Sequence, residues 1–273
     1  MRNAFAAVLD GLRFRPSVWL VCGLGWVLYG AFSARGIPYI IYHVGDTSYR
    51  QQLLDGVLPG ALPGSLVAPY PLFGAIFMVA LGGLVVGNEY RWGTIGTLLV
   101  QRPSRTALLL AQAAALAIVT LATALLYSVV NGLAAVAIAQ AEGASLTMPG
   151  ALPLLAALGG AWLIAFVYAM IGMFAAHLFR SAIAAIVTAL VLVVGIENTV
   201  GLLAGFAPGL RVMQYLLPGP SGGAIASALG APEGTPGLVA IAPVGAAIAV
   251  LLVWAMLCIT GSATVLRNRD ITA

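Results

Sequence analysis

The sequence contains no lysine: all twelve of its basic side chains are arginine. A phosphate-binding loop of the form G-x-x-x-x-G-K-[ST] needs its lysine to reach the phosphates, so that ATP site is excluded from the chain. Charge of either sign is scarce. Only 7% of the 273 residues are charged, against roughly a quarter in an average soluble domain, which excludes both an ordinary water-facing surface and a disordered chain. The two cysteines, Cys22 and Cys258, fall in separate apolar runs. They are too few for a disulfide framework or a zinc site and read as small apolar residues. The two histidines, His43 and His177, are too far apart in sequence to suggest a metal site. No serine or cysteine nucleophile can be set beside a base. The expectation is a chain that is not an enzyme, with no catalytic residues and no metal or cofactor of its own. Its net charge of +4 reads as membrane topology, with no nucleic-acid partner.

What the chain does have is apolar length. It is 62% hydrophobic, with a mean hydropathy of +1.05. A bilayer core of ~30 Å takes ~20 apolar residues per helical crossing, and six stretches qualify: 17–33, 65–87, 106–140, 153–176, a fifth ending near 206, and 237–265. The fold class expected is therefore an all-α integral membrane protein with six spans, a single domain over residues 1–273. The arginines preceding the first run also fit a secretory leader, but the segment is read as a retained span. Residues 3–15 put Phe5, Val8, Leu9 and Leu12 on one face, giving an amphipathic interfacial helix within residues 1–16, which Pro16 ends. Gly83 and Gly87 form a small-xxx-small pair that permits close helix approach. Residues 207–236 hold two weakly apolar pieces around Pro218-Gly219-Pro220. They read as re-entrant half-helices, or alternatively as an ordinary loop. With the N-terminus cytoplasmic, nine arginines lie inside against three (Arg35, Arg50 and Arg211) outside, so both termini are expected in the cytoplasm.

Two polar features stand out. Between the second and third runs, residues 88–105 place Trp92, Ile95, Leu98 and Leu99 at helical spacing among Arg91, Arg102 and Arg105. That is a short amphipathic element on the cytosolic side, fit to dock in a partner's groove, with an interfacial loop helix as the plainer reading. Glu197 is the one carboxylate expected deep in a span, beside Asn198 and Thr199. Such a group costs ~2.5–3.5 kcal/mol on insertion scales unless it is paired, and Arg211 is a candidate partner. It reads as a contact in a translocation path or outer gate, or as a structural contact holding the half-helices. Phe166, Tyr168, Met170 and Met173 in the fourth run suit either a hydrophobic cavity or helix packing.

The segment after the second span resembles the E-x-x-x-G-T…L-L…P-x-(S/T)-R signature of ABC-2-type transporter permeases. Glu89, Gly93, Thr94, Leu98, Leu99, Pro103, Ser104 and Arg105 carry the likeness, although Ser104 follows Pro103 directly and Gln112 stands where many members have lysine. The resemblance extends to Tyr215-Leu216-Leu217-Pro218 and to the ending Arg267-Asn268-Arg269-Asp270. It implies the membrane subunit of an ATP-driven exporter in a bacterial plasma membrane. ATP and Mg would bind a separate ATP-binding cassette subunit, and a second permease chain, identical or different, would complete the path. Glu89, Arg91, Gly93, Thr94, Leu98, Leu99, Pro103 and Arg105 would then couple to the ATPase, and Glu197, Asn198 and Tyr215 would belong to the translocation path or outer gate. The rival readings are an ion-coupled secondary transporter that uses Glu197 and a non-transporting scaffold or immunity subunit.

Overall fold

In a bilayer core every backbone N–H and C=O must be paired within the protein, and a continuous helix does this inside one segment. The computed structural model describes residues 15–45, 49–93, 104–232, 235, 237–238 and 241–268, and these are mostly helical with no strand among them. Six helices are long and apolar enough to cross a membrane: α1 Pro16–Val44, α3 Pro59–Arg91, α4 Arg105–Ala141, α5 Ala151–Phe179, α6 Ala182–Leu203 and α9 Val244–Asn268. Three shorter helices complete the described set: α2 Arg50–Val57, α7 Pro208–Leu216 and α8 Pro218–Ala228. The amphipathic helix expected in residues 1–16 falls, but for its last two residues, outside the described residues.

α1, α3, α4 and α5 overrun the expected boundaries, whereas α6 ends at Leu203, short of 206, and α9 begins at Val244, after 237. α1 continues past residue 33 because wide, i→i+5 bonded turns at Phe32–Gly36 accommodate Pro38, which has no N–H to donate. This corrects the placement of Arg35: it lies inside α1, 2% exposed, and not in an outer loop. At its other end, α3 runs beyond Gly87 because Asn88 and Glu89 are buried and Glu89 is hydrogen-bonded to Gln112 of α4. Glu197 is therefore not the one carboxylate buried in a span. Ser104 caps α4 by accepting from Ala107 N at 3.3 Å, and Ser181 caps α6 from Ala184 N at the same distance. Between α5 and α6 the chain reverses through Arg180, whose φ of 53° is the left-handed value that ends a helix.

α5 packs against α3, α4, α6 and α9 and forms the centre of the bundle. Its contact with α3 is backbone to backbone, through Gly82 on one helix and Gly172 on the other. Gly83 and Gly87, the pair singled out in the sequence, lie against Ala185 and Ala182 of α6. Met170, Met173 and Tyr168 of α5 are fully buried in this packing. They belong to the bundle's core. Cys22 and Cys258 are buried and unbridged.

At one end of the bundle, the start of α1, the end of α3, the start of α4 and the end of α9 meet around Arg15 and Arg105. At the opposite end, Glu142, just beyond α4, takes hydrogen bonds from Tyr39 (2.7 Å) and Tyr42 (3.1 Å), with His43 Nε2 at 3.1 Å. Glu142 is thus the acidic partner of His43. Donation from Tyr39 above all, with Tyr42 and His43 adding to it, holds the Glu142 carboxyl below its ordinary range. A depressed carboxyl stabilises the fold fully above its unfolded value of about 4.3 and loses that contribution as pH falls through the lower folded value. The thermal midpoint of the wild type in detergent should thus exceed that of Glu142→Gln at neutral pH. The gap should close as the pH drops below about 4, and a gap independent of pH would count against the pin.

Candidate functional site

Glu89 ends its turn of α3 facing Gln112, two turns into α4, and His177 faces Gln112 from the last turn of α5. All three are buried, at 2%, 0% and 0% exposure, so each polar atom needs a protein partner. The partners form one directed chain. Tyr90 donates its hydroxyl to His177 Nδ1 at 3.0 Å. His177 Nε2–H donates to Gln112 Oε1 at 3.1 Å, and Gln112 Nε2–H donates to Glu89 Oε2 at 2.7 Å. Arg15 Nη2 stands 3.7 Å from the other carboxylate oxygen, while its Nη1 donates to Val85 O at 2.8 Å. The direction follows from chemistry. A carboxylate only accepts, so the Gln112 amide nitrogen faces Glu89, its oxygen faces His177, and the imidazole carries its proton on Nε2.

The surrounding residues divide into anchored and open. Arg105 donates to the carbonyls of Leu266 and Arg267, a cation at the C-terminus of α9. Arg91, Trp92 and Gly93 are exposed, and Arg15 lies 5.7 Å from the Trp92 ring centre. Gly93 ends α3 at φ +64°, a conformation that suits glycine. Thr94, Leu98, Leu99 and Pro103 lie outside the described residues. Of the residues expected to couple to a partner, Glu89 and Arg105 are therefore internal clamps, whereas Arg91 and Gly93 face outward.

A second polar centre surrounds Glu197, 6% exposed in α6. Its partner is not Arg211, which is exposed on α7. Tyr168 Oη donates to Glu197 Oε2 at 2.9 Å, and Gly219 N donates to Oε1 at 3.1 Å. The Pro218-Gly219-Pro220 sequence explains this geometry. Two of the first three residues of α8 have no N–H, and Ser221 N reaches Leu217 O. Gly219 supplies the one unsatisfied donor of that turn, and the Glu197 carboxylate caps it. Glu197 and Asn198 line a cavity of about 240 Å³ with Gln214, Gly219 and Pro71 among its walls. Asn198 also donates to Val193 O at 3.1 Å. Tyr215 is 42% exposed on α7 and does not line the cavity.

A Cβ on Gly219 would stand 2.5 Å from Glu197 Oε2. Gly219→Ala should therefore displace the cap and cost about 1–2 kcal/mol. Glu197→Gln keeps an oxygen for Gly219 N, and its amide turns to Tyr168, whose hydroxyl has Pro71 O within 3.4 Å. That variant should unfold in detergent within about 1 kcal/mol of wild type. A large loss for Glu197→Gln beside a neutral Gly219→Ala would refute the capping role.

Sequence reasoning missed the buried Arg35, the Tyr39–Tyr42–Glu142 pin and the Tyr90–His177–Gln112 chain. The usable signal for the last was three hydrogen-bonding side chains near the same ends of consecutive spans. Among the described residues no three His, Cys, Asp or Glu side chains gather in a metal-like cluster.

No curated protein matches the chain. A family model does: that of DUF2705, a protein of unknown function, covers residues 27–272. With the match running from within α1 to beyond the end of α9, the chain belongs to the DUF2705 family.

Proposed function

We propose that this chain is the membrane-spanning subunit of an ATP-driven exporter of the ABC-2 permease kind. The arginine-rich end, with Arg15, Arg91, Arg105 and Arg267, is placed in the cytoplasm on this reading. A separate ATP-binding cassette subunit docks there on residues 88–105, where Arg91 and Gly93 are exposed. A second permease chain completes the path, and α7 and α8 enter the far leaflet as half-helices.

The observation that supports this most is the Glu89–Gln112–His177 chain. It binds the end of α3 to α4 and α5 where the amphipathic segment begins. A push on that segment is thereby delivered to three spans together and is not absorbed by one fraying helix end. Packed elements with fixed hydrogen bonds transmit displacement in this way.

The test is isolation of the tagged chain from its native membrane. An ATP-binding subunit should come with it, and its ATPase activity should respond to the permease. Gly93→Pro, which cannot adopt the positive φ found there, should insert normally and lose the subunit. Isolation of the chain free of any ATPase, with transport intact, would overturn the reading. Transport abolished by Glu197→Gln with ATPase assembly preserved would favour ion coupling instead.

A further inference from the structure

Arg35 carries a full charge in the interior of a spanning helix, and its hydrogen bonds go to neutral groups. Nη1 donates to Gly56 O at 3.1 Å and Nη2 to Ser65 Oγ at 2.6 Å. Ser65 in turn donates to Leu62 O at 3.2 Å. Among the described residues Nε has no partner, and no carboxylate stands within ion-pair distance. A buried charge is normally paired, so this guanidinium leaves positive potential unspent on its surroundings.

Those surroundings are a cavity. Gly56 and Ser65, the two groups that hold Arg35, line a space of about 540 Å³ between α1, α2 and α3, within the ~300–1,000 Å³ of ordinary small-molecule sites. Its walls are two-natured. Ser33, Gln52 and Thr235 offer hydrogen bonds, while Leu53, Val57 and Phe73 are apolar. Gln52 and Tyr49 are exposed, so the space opens to the surface at α2.

We propose that this cavity binds an amphipathic anion, a molecule with one acidic headgroup on an apolar tail. The headgroup sits over Ser65 and Gly56, where the Arg35 charge lies one hydrogen bond behind the wall. The tail follows Leu53, Val57 and Phe73. A neutral headgroup gains nothing from Arg35, and a free anion gains nothing from the apolar wall. Binding is independent of the exporter reading, since the site is built from this chain's α1, α2 and α3 and needs neither ATP nor a partner subunit.

The test uses the purified full chain in neutral detergent, with phosphatidylglycerol, phosphatidylcholine of the same chains, and inorganic phosphate as probes. Retained adducts are read by native mass spectrometry. Phosphatidylglycerol should be retained in preference to phosphatidylcholine, and phosphate should not compete. Arg35→Gln should weaken retention on the order of tenfold. Because Arg35 also ties α1 to α2 and α3, a second variant fills the space without touching it. A Cβ on Gly56 meets only Pro232 Cγ, at 3.9 Å, so Gly56→Leu can extend into the cavity and should abolish the preference. Arg211→Gln, exposed on α7, should leave it unchanged. Equal retention of both lipids, competition by phosphate, or an undiminished preference in Gly56→Leu would each overturn the proposal.

Discussion

Gly82→Ala should prevent the bundle from closing. A Cβ at Gly82 would stand 1.9 Å from Ala169 O and 2.8 Å from Ala169 C, and one at Gly172 would stand 2.1 Å from Val79 O. These obstacles are backbone atoms of the facing helix, so no rotamer change relieves them, and α3 and α5 would have to separate along their contact. That contact organises the core, because Met78, Val79, Tyr168, Ala169 and Met170 around it are fully buried. Helix association within a bilayer depends on close packing, since lipid tails are as apolar as the side chains. The expected cost is ~3 kcal/mol or more, at or beyond the upper range for overpacking. Gly159→Ala in the same α5 provides the contrast. Nothing lies within 4 Å of a Cβ there, so the exchange should be neutral or stabilise the helix by up to about 1 kcal/mol. Monodisperse yield in detergent and the thermal midpoint measure both. Folded Gly82→Ala with a normal midpoint would show that the helices do not meet as described.

The six spans were legible because apolar length is a property of composition, and the helices keep the expected order. Boundaries were less legible, because a span does not stop at its first polar residue when the partner for that residue sits on another helix. Glu89 is the instance: from sequence it reads as the start of a cytosolic segment, yet Gln112 of α4 draws it inside and prolongs α3 to Arg91. Arg35 is the same lesson at the other end, where Gly36 and Pro38 mimic a loop and a wide helical turn absorbs the proline instead. For Glu197, charge pointed to Arg211, whereas geometry answered with Tyr168 and a backbone N–H. Pro218 and Pro220, by having no N–H, made Gly219 the donor in need of a cap. That pairing is encoded locally in α8, but its acceptor is 22 residues away, so pattern alone does not find it. The Gly83-x-x-x-Gly87 pair was legible as a close contact, though not which helix it meets.

Glu89→Ala should have the second large effect, and its form separates a clamp from a surface contact. With 2% exposure, Glu89 does not present its carboxylate to a partner protein. It is a positioning residue for the segment that follows. Removal leaves Gln112 Nε2 without its acceptor and Arg15 without its anion, and breaking a buried charged contact of this kind costs ~3–5 kcal/mol. Glu89→Gln keeps an oxygen toward Gln112 and forfeits only the charge toward Arg15, so it should lose less. Gln112→Leu should resemble Glu89→Ala, since it severs the same 2.7 Å bond and also strips His177 Nε2 of its acceptor. Gln112→Lys should be milder: the ammonium pairs directly with Glu89, and His177 adopts the other tautomer, donating from Nδ1 to Tyr90 Oη. The decisive measurement is the double-mutant cycle. If the residues form one chain, Glu89→Ala combined with Gln112→Leu should cost less than the sum of the two alone, by about 1–3 kcal/mol. On the exporter reading, retention of the ATP-binding subunit should fall in the same order as stability across the series. Additive costs, or ATPase retention lost in Glu89→Gln with stability unchanged, would mean that Glu89 acts on the partner directly and that the buried chain is not the transmitting element.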